Sequence, residues 1–182
     1  MSPFRPVHFI PQSRKEQILS LRIDRIVTGP HAQDAGTNHW CFYLAVSKSP
    51  AASTRWIKID CLPSYVEPST ILPGGSKANL IISELEPSTM PDIEPTFTLD
   101  LPSGSNITVN DIHDLLVDNG RHKYEFDSQG VGCRFWVTEQ LGLFYEHAIL
   151  GDKAQVEAVK AAIKRLWPEQ TALELDRGAY YE

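Results

Sequence analysis

Two short stretches carry the residue types that thiol chemistry requires. Asn38-His39-Trp40-Cys41-Phe42-Tyr43-Leu44 sets a histidine at the start of an apolar run. Gly132-Cys133-Arg134-Phe135-Trp136-Val137 sets a cysteine ahead of apolar residues at helical spacing. A thiol in the first turn of a helix meets unpaired N–H groups and about half an elementary positive charge. Both favour the thiolate, which is the nucleophilic form. A histidine within hydrogen-bond reach would complete an activated pair. The backbone N–H groups of the same helix end could hold the oxyanion formed on acyl transfer. Gly132 would open that turn, Arg134 would add positive charge, and Gln129 could lend a side-chain amide. His122, ahead of a short strand, is a reserve candidate for the base.

Each of these residues has a plainer reading. Cys133 could fill space beside Trp136, since free cysteine is among the most buried residue types. His39 could be a strand histidine bonded to a neighbour. Asp60 shares strand parity with Lys58, which favours a solvated face for both. Cys41 lies on the same face of its strand as His39, whereas Cys61 points away from Asp60 and toward a core. Cys41 and Cys61 match no structural zinc spacing, so no metal is expected. Gly74-Gly75 lacks the strand and helix of a phosphate loop, so no nucleotide cofactor is expected either. His113 reads as a surface residue, and His8, His31 and His147 give no signal.

The elements that must position these groups follow from periodicity. Leu19, Leu21 and Ile23 alternate with polar residues, predicting a half-buried strand from Ile18 that Gly29-Pro30 stops. His39–Ser47 is apolar on both faces, as a central strand would be. A small-residue loop over 47–54 turns the chain into Trp56–Leu62, which Pro63 should end. Residues 63–77 read as a long loop. Ala78–Leu85 and Thr96–Leu101 read as strands joined through Pro87, Pro91 and Pro95. Thr108 and Asp111 form a capping-box pattern opening a helix through Leu116, stopped at Asn119-Gly120. His122–Phe126 is a further strand. Trp136, Val137, Leu141 and Phe144 mark a helix from Cys133 to about His147. Asp152 caps a last helix with Val156, Val159, Ile163 and Leu166 on one face, closed by Pro168.

The strand bearing His39-Trp40 and Tyr43, followed later by a helix that begins with a cysteine, resembles the permuted papain-like thiol enzymes. The nearest groups by pattern are the NlpC/P60-like and lecithin retinol acyltransferase-like families. The same stretches also resemble uncharacterised fungal proteins. The likeness spans about residues 37–145 and rests on roughly a dozen residues. It implies a small α+β fold in which an antiparallel sheet of about five to six strands packs against the cysteine helix and a C-terminal helix. It further implies a catalytic set of Cys133 as nucleophile, His39 as general base and Asp60 as the group orienting the imidazole. Two positions depart from the acyltransferase-like pattern: Gly132 replaces an asparagine, and Asp60 a second histidine. A carboxylate fixes an imidazole tautomer well, so the second change is chemically sound.

The whole-chain properties narrow the field. At 182 residues with a 42% hydrophobic and 22% charged composition, the chain suits one domain with a proper core. Residues 1–17 read as an N-terminal arm, 18–168 as a single α+β domain and 169–182 as a loose acidic tail. The net charge of −6 and scattered Lys and Arg exclude the basic stripe that nucleic acid requires. No apolar run reaches the roughly 18–20 residues that span a bilayer. Three cysteines without a CxxC pair predict a reducing compartment, most simply the cytosol. The expected activity is cysteine-dependent acyl transfer or amide or ester hydrolysis on a small molecule or peptide. The rivals are a binding module of the same fold, and a cyclase or isomerase using the same pocket.

Overall fold

The computed structural model describes residues 3–33, 36–47, 54–87, 89 and 91–182. The chain runs β1 (Val7–Ile10), α1 (Lys15–Leu19), β2 (Arg22–Ala32), β3 (Asn38–Ser47), β4 (Arg55–Pro68), β5 (Ser76–Glu84), β6 (Phe97–Leu99), α2 (Val109–Asp118), β7 (Tyr124–Phe126), α3 (Cys133–Glu146), α4 (Lys153–Ile163), β8 (Arg165–Leu166), β9 (Thr171–Ala172) and β10 (Ala179–Tyr180). It is an α+β fold around one eight-stranded sheet ordered β10-β7-β5-β4-β3-β2-β6. β1 and β7 share the outer edge of β5, β1 in parallel and β7 antiparallel.

Alternation along the central strands sorts the two faces. Trp40, Phe42 and Leu44 of β3, with Ile57, Ile59 and Cys61 of β4, pack against Trp136, Val137, Leu141 and Phe144 of α3 and Val156, Val159 and Ile163 of α4. Cys61 is thus a core residue, on the face opposite Asp60. The second face buries a smaller cluster of Val27, Cys41, Tyr43, Ala45 and Trp56, covered by Ile93 from the proline-rich connection. The Thr108–Asp111 capping box is formed, and the Asp152 carboxylate accepts from Ala154 and Gln155 N–H at the start of α4.

Several boundaries differ from the sequence expectation, for identifiable reasons. Ile18 and Leu19 close a short helix rather than opening a strand, because in so short a window alternation also fits a buried helix end. Gly29-Pro30 does not stop β2. The β2–β6 ladder ends at Thr28–Phe97, so from there β2 has an open edge where a missing N–H costs nothing. Pro63 likewise sits inside β4, paired with Ala78, past the point where β3 has left that strand. Of the expected 63–77 loop, residues 63–68 continue β4 and 76–77 begin β5, leaving 69–75 as the loop. The small-residue loop over 47–54 lies largely outside the described residues.

The sheet exceeds five to six strands because both ends of the chain join it. The supposed arm supplies β1 and the supposed loose tail supplies β10 against β7, while β9 of the tail pairs β8 in a separate two-stranded sheet. What holds the tail is Arg134, whose buried guanidinium donates to the carbonyls of Ile163, Leu173 and Glu174 and to the Asp176 carboxylate.

Candidate functional site

The β3–β4 ladder runs from Val46–Arg55 to Phe42–Ile59 and stops. Beyond it, residues 38–41 stay with β2 while residues 60–63 stay with β5. The sheet therefore forks, and the gap is bridged by side chains. His39 Nε2 donates to Asp60 Oδ1 at 2.6 Å across it, and Lys58 Nζ meets the other carboxylate oxygen at 2.6 Å.

Asp60 is only 3% exposed, so the solvated face read from its parity with Lys58 is wrong. Parity was right; what covers that face is His39 and Lys58 themselves. Burial works against ionising Asp60, but the His39 hydrogen bond and the two positive neighbours outweigh it and hold the carboxyl below its usual range. Burial also opposes charge on His39. The Asp60 bond, helped by the nearby Cys133 and Cys41 thiols, overcomes it and raises His39 well above the ordinary imidazole range. Both shifts favour the imidazolium–carboxylate form of the pair.

Cys133 opens α3 from beneath the fork. Its helix start carries no side-chain cap, which leaves first-turn N–H groups free of a side-chain acceptor. Sγ lies 3.9 Å from the Asn38 carbonyl, next to the histidine in sequence, while no aligned Sγ–imidazole hydrogen bond is formed among the described residues. A cleft of about 540 Å³ is lined by both Cys133 and His39, each 9% exposed. Its apolar wall includes Leu62, Tyr65, Phe126 and Val131; Gln33, Thr37 and Gln129 line the remainder. The Thr37 hydroxyl is buried there without a hydrogen-bond partner among the described residues.

The other anticipated residues divide. Gln129 lines the cleft. Gly132 precedes Cys133 with φ +149°, and a Cβ there would lie 3.2 Å from the side chains of Tyr124 and Phe126, so any other residue would be strained. Arg134 is not a pocket residue: successive helix positions diverge by about a quarter turn or more, and its side chain is spent on the tail. Tyr43 is also absent from the cleft lining, being on the covered second face with Oη 3.0 Å from His31 Nε2. His122 does not line the cleft either; burial lowers its basicity and its Nδ1 has no partner among the described residues. His31 carried no signal along the chain, yet it sits opposite His39 in the β2–β3 register. Pairing the two runs as a hairpin would have found it.

Chemically, the arrangement sets a sulfur at an uncapped helix start and an imidazole whose Nε2 is fixed by a buried carboxylate on the wall of one cleft. Among the described residues no helix is long and apolar enough to cross a membrane. Comparison with known proteins yields no match among curated proteins and none among solved structures. A family model described as a domain of unknown function, DUF7770, matches residues 25–181, and the chain belongs to that family.

Proposed function

We propose that the protein is a cysteine-dependent acyl-transfer enzyme or amide or ester hydrolase acting on a small molecule or peptide. The observation that carries this reading is that Cys133 and His39 line one cleft while His39 Nε2 is tied at 2.6 Å to Asp60. With Nε2 engaged, Nδ1 is the nitrogen left to exchange a proton with Sγ. Cys133 Sγ attacks the carbonyl carbon, and its proton resides on His39. The oxyanion is met by N–H groups of the first turn of α3, with the Gln129 amide at the cleft wall. Collapse breaks the bond to the leaving group, which takes the proton from His39. Water or an acceptor nucleophile, deprotonated by His39, then cleaves the thioester and frees the thiol.

The same features support the likeness to permuted papain-like thiol enzymes. The three free cysteines fit a reducing setting such as the cytosol. The test uses 4-nitrophenyl esters and mass spectrometry of the intact protein. Acylation confined to Cys133, absent in Cys133→Ala and slowed at least 100-fold in His39→Gln, is expected. Modification spread evenly over Cys41, Cys61 and Cys133, or turnover that survives Cys133→Ala, overturns the proposal in favour of a binding module or a thiol-independent reaction.

A further inference from the structure

The covered face beside the fork holds a second donor set, contributed by three adjacent strands. His31 comes from β2, His39 and Cys41 from β3, and Asp60 from β4. One ligand atom each from His39, Cys41 and Asp60 lies within 4.8 Å of the others. His31 Nε2 lies 3.6 Å from Cys41 Sγ. Tetrahedral zinc, with bonds of about 2.0–2.1 Å to nitrogen and 2.3 Å to sulfur, sets neighbouring ligand atoms about 3.5 Å apart. The spacing of the cluster thus suits that coordination sphere after small side-chain movements.

We propose that His31, His39, Cys41 and Asp60 form a binding site for a thiophilic divalent cation such as Zn²⁺. The expectation of no metal rested on spacing along the sequence, and zinc fingers and ribbons do keep their ligands close together in the chain. Here the sheet register assembles the set instead, with His31 directly opposite His39. His31 is suited to coordination by position, its Nε2 turned to the Cys41 sulfur at 3.6 Å. Binding displaces one His39 proton and the Cys41 proton to solvent and breaks the His39–Asp60 hydrogen bond, while Lys58 can keep the other carboxylate oxygen. The cation then occupies the imidazole and carboxylate that the acyl-transfer reading assigns to catalysis. Resting on that reading, a bound Zn²⁺ is an inhibitor rather than a cofactor.

The test titrates the full chain with Co²⁺, which reports thiolate ligation by a charge-transfer band and tetrahedral geometry by visible absorption. One equivalent should give both signals, unchanged in Cys133→Ala, with the band lost in Cys41→Ser and affinity at least tenfold weaker in His31→Gln. Zinc-edge X-ray absorption on the unmutated protein guards against misfolded variants: one sulfur at about 2.3 Å and the rest nitrogen or oxygen is expected. No charge-transfer band, a band that follows Cys133 instead of Cys41, or a sulfur-free zinc shell overturns the site. Because binding is read in Cys133→Ala, the metal site stands or falls separately from the acyl-transfer chemistry. If the site binds but esterase activity is indifferent to Zn²⁺, the inhibitory role is overturned.

Discussion

Replacing Asp60 with asparagine tests the centre of the arrangement with almost no change in volume. The carboxylate is buried and makes charge-assisted contacts at 2.6 Å to both His39 and Lys58. Removing one member of a buried ion pair costs about 3–5 kcal/mol, because the remaining charge is left desolvated. Two effects limit the loss here. Asparagine retains an oxygen that can accept from His39 Nε2, and His39, no longer held charged by a carboxylate, can release its proton. Lys58 keeps partial exposure and can turn to water. The lower end, about 3 kcal/mol, is therefore expected. For a chain of this length that corresponds to a fall in Tm of about 6–12 °C. The companion readout is the rate of Cys133 alkylation by iodoacetamide, followed by peptide mapping. It should fall at least tenfold, as the sulfur loses both a charged neighbour and an oriented base. A denaturation curve within about 1 kcal/mol of the parent, together with unchanged alkylation, would refute the assignment of Asp60 to the site.

Three further predictions concern the surrounding frame. Glu125 accepts hydrogen bonds from Ser69, Thr70 and Ile71; burial pushes its pKa up, but these bonds outweigh burial and depress it. Its contribution is therefore present above the unfolded carboxyl value and lost as pH falls through the folded one. Glu125→Gln should cost about 2 kcal/mol at pH 7 and flatten the acid limb of stability measured by urea denaturation at several pH values. Arg134→Met should free the 171–180 segment to limited proteolysis while changing Cys133 alkylation less than threefold; a larger change would return Arg134 to the pocket. Gly132→Ala should lose about 1–3 kcal/mol from its strained φ and slow Cys133 alkylation by displacing the first turn of α3, and unaltered stability would contradict the crowding by Tyr124 and Phe126.

Much of the fold was legible along the chain. The 3.6-residue spacing of Trp136, Val137, Leu141 and Phe144, the capping box at Thr108 and the cap at Asp152 each located a helix, but the last ends at Ile163, short of Pro168, and Leu166, expected on its face, belongs to β8. Proline misled twice, at Pro30 and Pro63, because its cost in a sheet depends on whether a neighbouring strand is present, which is a tertiary fact. The arm and tail were misread because strands of two to four residues, at β1, β9 and β10, carry too little pattern to register. For the site, residue types at strand start and helix start were enough to single out His39 and Cys133. Parity put Asp60 on the correct face but could not say that another strand's imidazole covered it. Arg134 failed as a pocket residue for a related reason: its neighbour in sequence faces the cleft, but helical geometry sends the guanidinium elsewhere.

The fork between β3 and β4 has a mechanical meaning. The two halves of the sheet are locked together by main-chain bonds only up to Phe42–Ile59. Past that point an imidazole and a carboxylate act as the latch, so a ligand wedged between Thr37 and Leu62 would pry on that contact. Occupancy of the crevice and closure of the fork are in this way mechanically geared to each other.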